Sequence, residues 1–257
     1  MTSTNPTAAV LLIGNEILSG RTQDINLNHI ATKLSAVGIQ VCECRVIPDI
    51  ESVIVGSLNS LRSQYTYVFT TGGIGPTHDD ITAQCVANAF GVPLLQHPEA
   101  VSLLSDYFAS RNVEANEARM RMANVPEGGT LVDNPVSVAP GFCIGNVYVM
   151  AGVPRIMQAM LANIIPTLTH GQTLRSVTVV CDLPEGLISK PLELLQKEFP
   201  QLDLGSYPGK QHTTFQVSLV ARGIDTEQLA QVQSKLVELV ADLGGHVIDQ
   251  MNDSAII

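Results

Sequence analysis

Three apolar runs, each followed by a segment with helical spacing, constrain this chain more than any other feature. Residues 8–13, 39–47 and 65–70 read as buried strands. After the first, Asp24 is placed to cap a helix whose inner face is Ile30, Ala31, Leu34 and Val37, with Gly38 as its stop. After the second, a helix near 50–63 turns Val53, Ile54, Leu58 and Leu61 inward. A third helix is predicted over 83–90. The order β-α-β-α-β-α predicts an α/β fold with an open parallel sheet and helices on both faces. Strands covered twice must be aliphatic. The composition agrees, with 45% hydrophobic residues, 4% aromatic and no Trp.

Ligands of such sheets bind beyond the carboxyl ends of the strands. That edge should gather Gly14, Asn15 and Glu16 after the first strand, Asp49 after the second, and Gly72 to Asp80 after the third. The last stretch reads Thr70-Thr71-Gly72-Gly73-Ile74-Gly75-Pro76-Thr77-His78-Asp79-Asp80-Ile81-Thr82. Three glycines between a strand and a helix permit positive φ and expose backbone N–H groups to an anion. Asp79 and Asp80 would repel a phosphate there unless a divalent cation joins them. Asp49 has a competing role as a helix cap, and Asp80 as a first-turn carboxylate. Arg21 and Arg155 suit phosphate contact or a solvated surface equally. His78 reads as an exposed loop residue. The motif is neither a Walker loop nor a dinucleotide fingerprint.

Further on, helices are expected over 98–110 and 114–122, a turn at 126–129, and a loop at 134–142. Two short strands, 142–144 and 147–150, flank a Gly145-Asn146 turn. Pro154 suits the first turn before a helix over 156–168. Near residue 172 the pattern changes to strand 174–181, helix 187–199, strands 202–207 and 213–221, helix 226–243 and strand 246–248. That order is ferredoxin-like. The expected domains are therefore 1–172 and 173–257, the second a small α+β unit.

A net charge of −10 with 14 basic residues in 257 argues against nucleic acid or an anionic membrane as partner. No apolar stretch reaches the length of a membrane span, and the first residues do not resemble a signal peptide. The five cysteines suggest neither a disulfide framework nor a zinc site, so a reducing cytoplasm is expected.

Gly14-Asn15-Glu16-Ile17-Leu18-x-Gly20, Asp24-x-Asn26 and the run from Thr71 to Thr82 resemble the MoaB/Mog molybdopterin-binding family. Asn134-Pro135, Ala139-Pro140-Gly141-Phe142 and Ala151-Gly152-Val153-Pro154 look like its CinA-type branch (competence/damage-inducible protein A). The run from Ala139 to Met160 is similar to the N-terminal domain of eukaryotic FAD synthases. The resemblance implies a three-layer α/β/α sandwich with a mostly parallel sheet, and a homo-oligomer. It implies molybdopterin, or a nucleotide pyrophosphate of the ADP-ribose or FAD class, as ligand. The family's aspartates would fall on Asp49 and Asp80. Its glycines would fall on Gly72, Gly73 and Gly75.

The departures narrow the expectation. No nicotinamide-nucleotide amidase or nucleotidyltransferase domain is read in the chain, so neither deamidation nor FAD synthesis is expected. Ile74 stands where Mog-type enzymes usually carry Thr, which argues against adenylylation of the pterin. The expected activity is metal-dependent hydrolysis of a nucleotide pyrophosphate. Asp49 and Asp80 would be catalytic, and Asp79 and Asp80 would hold Mg2+ or a similar ion. Gly14, Asn15, Glu16, Gly72, Gly73, Gly75, Pro76, Thr77 and Arg155 would contact the ligand. The alternative is a non-catalytic module binding molybdopterin or a nucleotide.

Overall fold

The computed structural model describes residues 5–209 and 216–253. The chain forms two compact units, Met1–Gly171 and Gln172–Ile257. In the first, β1 (Thr7–Ile13) is followed by α1 (Asn15–Leu18) and α2 (Asn26–Ser35). Then come β2 (Gln40–Ile47), α3 (Glu51–Gln64), β3 (Tyr67–Thr71) and α4 (Thr82–Phe90). β4 (Leu94–Gln96), α5 (Pro98–Ser110), α6 (Glu117–Met120), β5 (Asn124–Pro126) and β6 (Thr130–Val132) lead to β7 (Gly141–Ile144), β8 (Val147–Met150) and α7 (Pro154–Ile164).

The six-stranded sheet has the order β2-β1-β3-β8-β7-β6. β2, β1, β3 and β8 run parallel, and β7 and β6 add an antiparallel edge. β1 is buried on both faces. Ala9, Leu11 and Ile13 meet Ile54, Leu58 and Leu61 of α3 and Val86 of α4. Ala8, Val10 and Leu12 meet Ile30 and Leu34 of α2 and Met157 and Leu161 of α7. This is the three-layer sandwich, and its two cores follow from the period-two alternation of one strand. The cap of α2 is supplied by Asp24, whose carboxylate accepts from the N–H groups of Asn26 and Leu27 at 3.2 and 3.0 Å.

Two helix expectations need correction. The segment 114–122 is not one helix. Asn116 accepts from the Arg119 N–H at 3.0 Å, so α6 starts at Glu117. It tightens into a 3-10 turn at Arg121–Ala123 because the chain must leave as β5, paired with β4. The last helix of this unit ends at Ile164, not 168. Pro166 has no N–H to continue it, and a 3-10 turn follows at Ile165–Thr167. β4, β5 and β6 have three residues each, too short to show periodicity. Gly145 turns the β7–β8 hairpin with φ +57°. Asn146 ties that turn to the end of α3 by donating to the carbonyls of Arg62 and Tyr65 at 3.0 and 2.9 Å.

The second unit runs β9 (Arg175–Cys181), α8 (Glu185–Glu198), β10 (Asp203–Pro208), β11 (Val217–Gly223), α9 (Thr226–Asp242) and β12 (Val247–Asp253). Its antiparallel sheet has the order β10-β11-β9-β12, the ferredoxin-like arrangement. Ile188, Leu192 and Leu195 of α8 and Leu229, Val232 and Leu236 of α9 share its core. The expected strand 213–221 begins outside the described residues. Its described part is β11.

Candidate functional site

Parallel pairing delivers the ends of β1, β2 and β3 to one edge of the sheet. Gly14 donates its N–H to the Ile47 carbonyl at 3.1 Å, and the Asn15 N–H reaches the Asp49 carboxylate at 2.9 Å. The loops after β1 and β2 are thus joined directly. Asp49 does not cap α3; its carboxylate is used by Asn15.

The glycine loop after β3 is shaped by its neighbours. Gly72 and Gly73 have φ of +102° and +67°. A Cβ on Gly72 would lie 2.1 Å from the Ile13 carbonyl oxygen, and one on Gly73 would lie 2.2 Å from Thr82 Oγ1. Only glycine fits either position. Thr82, fully buried, donates its hydroxyl to the Gly72 carbonyl and its N–H to the Gly73 carbonyl, both at 3.0 Å. These bonds fasten the start of α4 to the loop. The carboxylate of Asp80 accepts from the Thr77 N–H at 2.8 Å and from the Thr77 hydroxyl. A Cβ on Gly75 would come within 2.6 Å of Asp80 Oδ2, so Gly75 leaves the space that this carboxylate fills. Among the described residues, no acceptor takes the N–H groups of Gly73, Ile74 and Gly75.

A cleft of 540 Å³ opens beside this loop. One wall is Gly72 to Pro76 with Asp80, and another is the turn from Ala151 to Pro154 at the head of α7. Glu16 and Thr22 close a third side, and Met122, Asn134, Ser137 and Ala139 a fourth. Its lining holds two carboxylates, Glu16 and Asp80, and no Lys or Arg. A smaller cleft of 240 Å³ lies on the other flank of the loop. It shares Gly73, Ile74, Gly75 and Asp80 and adds His78 and Arg121.

Two polar residues hold the walls. Asn134, 2% exposed, accepts from the N–H groups of Val136 and Ser137, each at 3.1 Å, and donates to Ser137 Oγ and the Ala139 carbonyl. The loop it braces carries Val138 at φ +68°, a strained value for a β-branched residue. Asn26, at the head of α2, donates to the Gly152 carbonyl at 2.8 Å and so fixes the turn above the cleft. Both lie in stretches that the sequence marks, at Asn134-Pro135 and Asp24-x-Asn26, but their bonds depend on chain segments far apart. Met122 and Ile156 line the cleft with no sequence signal.

Of the expected site residues, Glu16, Gly72, Gly73, Gly75, Pro76 and Asp80 meet on the cleft. Gly14 and Asn15 lie beneath it as the support of Glu16, whose carboxylate folds back over Gly14. Thr77 serves Asp80. Asp49 is on neither cleft lining. Arg155 is exposed on the first turn of α7 and also lines neither. Asp79 points to solvent, with two thirds of its side chain exposed, and faces His78 at 4.0 Å. Hydrogen bonding from Thr77 and from its own backbone holds its carboxyl below the usual range. Among the described residues, no three His, Cys, Asp or Glu side chains gather as a metal site.

A strand–glycine loop–helix cleft at the carboxyl edge of a mostly parallel sheet, followed by a ferredoxin-like unit, defines a family. Residues 9–170 match the family described as a probable molybdopterin binding domain, and the chain belongs to it. Residues 173–244 match the middle domain of FAD synthase. Within the family the chain is of the CinA type. It is similar to the crystal structure of CinA from Thermoplasma acidophilum, a protein of unknown function. That likeness has 30% identity and a TM-score of 0.58, and covers 63% of this chain and 98% of that one. A protein of Archaeoglobus fulgidus is 32% identical over 91% of this chain and 97% of its own length. One from Aeropyrum pernix is 29% identical over 96% and 98%. Among the described residues no helix is long and apolar enough to cross a membrane.

Proposed function

We propose that the cleft binds and hydrolyses a nucleotide pyrophosphate of the ADP-ribose or FAD class. The observation that carries this reading is the meeting, in one cleft, of three unclaimed N–H groups with two carboxylates and no basic side chain. The amides of Gly73, Ile74 and Gly75 suit the pyrophosphate oxygens. Asp80 and Glu16 beside them favour a phosphate that arrives with its own divalent cation, Mg2+ or a similar ion. Their hard oxygen donors fit a cation shared with the ligand, which typically uses one or two carboxylates. They do not fit a resident centre built by protein alone. Such a cation would withdraw charge from the phosphorus.

The chain's own contribution follows from the positions. The amides hold the phosphates, and Asp80, fixed by Thr77, sits beside them. Glu16 has no hydrogen-bond partner for its carboxylate among the described residues, so it is free to take the proton of the attacking water. The new bond is from water oxygen to phosphorus, and the bridging P–O bond breaks. Asp49 acts here as the anchor of the loop that carries Glu16, not as the base. Ile74, Pro76, Met122 and Val153 offer an apolar wall to a flat heterocycle.

A second reading, non-catalytic binding of molybdopterin or a nucleotide, is favoured by one observation: residues 9–170 match a probable molybdopterin binding domain. Both are tested by incubating the protein with ADP-ribose or FAD, with Mg2+ or with EDTA, and separating products. The expected result is turnover that disappears with EDTA and in Asp80→Asn and Glu16→Gln. Binding of pterin with no turnover under any metal favours the second reading. No binding of any of them removes both.

A further inference from the structure

The glycine loop is a ridge between two clefts. Gly73, Ile74, Gly75, Asp80 and Met122 line both the 540 Å³ cleft and the 240 Å³ one. The remaining charges are divided between them. Glu16 lines the large cleft and not the small one. Arg121 lines the small cleft and not the large one, and neither lining holds another Lys or Arg. The three unclaimed amides of the loop therefore have an acid on one side and a guanidinium on the other.

Arg121 is available to a ligand. It opens the 3-10 turn Arg121–Ala123, and the next residue, Met122, reaches both clefts. Its side chain is half exposed, and its ion pair with Glu117 is 3.9 Å long. An exposed pair of that length holds a guanidinium weakly, whereas a phosphate can take two parallel hydrogen bonds from it. The small cleft also lies below the roughly 300 Å³ at which clefts begin to hold drug-sized ligands. It suits a sugar phosphate better than a nucleoside. Gln84 and Asn124 on its lining offer side-chain amides to sugar hydroxyls. The large cleft has the apolar wall for a heterocycle, with Pro76, Val153 and Ile156.

We propose that the pyrophosphate lies across this ridge, its heterocyclic half in the large cleft, and that Arg121 receives the leaving phosphate in the small one. On the hydrolytic reading above, on which this rests, cleavage then has a direction. Attacking and leaving oxygens lie roughly in line on opposite sides of the phosphorus. Water bonds to the phosphorus of the heterocyclic half, and its proton passes to Glu16. The bond from that phosphorus to the bridging oxygen breaks, and the electron pair stays on that oxygen. The negative charge gained by the leaving phosphate falls beside Arg121. The products are two phosphate monoesters, and water is the only other reactant consumed.

The experiment uses the whole chain with ADP-ribose and Mg2+ in water labelled with heavy oxygen, and mass spectrometry of both products. The label is expected in AMP alone. Label in the ribose phosphate, with or without label in AMP, would overturn the direction. Arg121→Ala, its folding checked by circular dichroism, should lower kcat for ADP-ribose about 10²-fold, as loss of one charge-stabilising donor does. The same variant should hydrolyse the p-nitrophenyl ester of AMP as the wild type does, because nitrophenolate is a stable anion that leaves without help. Equal losses on both substrates, or no loss on ADP-ribose, would overturn the role of Arg121. If the wild type turns over neither substrate, the hydrolytic reading fails and binding decides the placement separately. Ribose phosphate, titrated calorimetrically with AMP and Mg2+ present, should bind the wild type and bind Arg121→Ala about tenfold more weakly. No binding to the wild type, or unchanged affinity in the variant, would overturn the placement.

Discussion

The carboxylate of Asp49 accepts a hydrogen bond from the backbone N–H of Asn15 at 2.9 Å. An acid at the end of one strand therefore sets the position of the loop after its neighbour, and with it Glu16. On this geometry Asp49 influences the cleft without lining it. Asp49→Ala is expected to cost about 1 kcal/mol. It should speed hydrogen exchange at the Asn15 amide, and it should leave any catalysed rate less affected than Glu16→Gln does. Exchange measured by mass spectrometry, with denaturant titration, checks the first two. A larger rate loss from Asp49→Ala than from Glu16→Gln would restore Asp49 as the base.

The three glycines of the loop should respond differently. Gly72→Ala and Gly73→Ala each force a Cβ into a filled space at positive φ. Each should destabilise by roughly 2 kcal/mol or more. Gly75→Ala first meets the Asp80 carboxylate, which can move aside only by giving up its bonds from Thr77. It should cost less stability than the other two and weaken ligand binding strongly. Urea midpoints beside ligand titrations would separate the two behaviours, and equal destabilisation by all three would contradict this account.

Asn134 is the brace of the opposite wall. Asn134→Ala leaves the N–H groups of Val136 and Ser137 and the Ala139 carbonyl, on a partly exposed loop, without their partner. A loss of about 2 kcal/mol is expected. Val138→Gly, one turn further along the same loop, should instead stabilise by about 1 kcal/mol, because left-handed backbone costs a side-chain residue that much. Thermal denaturation of the two variants should move in opposite directions.

In the second unit, Asp182 accepts from the His246 N–H at 2.6 Å and contacts its ring nitrogen at 3.0 Å. The His246 backbone N–H, then its side chain, hold the Asp182 carboxyl below its ordinary value. A group whose folded value is lowered stabilises the fold above its unfolded value and ceases to do so as pH falls through the folded one. Stability should therefore decline on the acid side of the ordinary Asp range. Asp182→Asn should flatten that decline while leaving the neutral-pH fold intact. Denaturant unfolding at a series of acidic pH values reads this directly; an unchanged slope in the variant would refute it.

The strands of the central sheet are visible in the sequence because β1 and β3 are covered on both faces, which demands unbroken apolar runs such as 8–13. The helices between them show because each buries one stripe. Three-residue strands such as β4, β5 and β6 are invisible, since two alternations cannot be told from chance. The end of α6 is hidden for another reason: the β4–β5 pairing, a contact distant in sequence, decides where it stops. For the site, the strand-end rule indicates which loops meet, and the glycines announce the shape of the third.

By itself the sequence determined the layer order, the edge of the sheet that carries the cleft, and a glycine turn between β3 and α4. Those follow from local alternation, chain direction and backbone sterics. Only the tertiary structure decided which acids share a space. Asp80 and Glu16 face one cleft, Asp49 is engaged by Asn15, and Asp79 and Arg155 face water. Side-chain direction at a loop depends on partners contributed by other strands, and no spacing within one loop contains them.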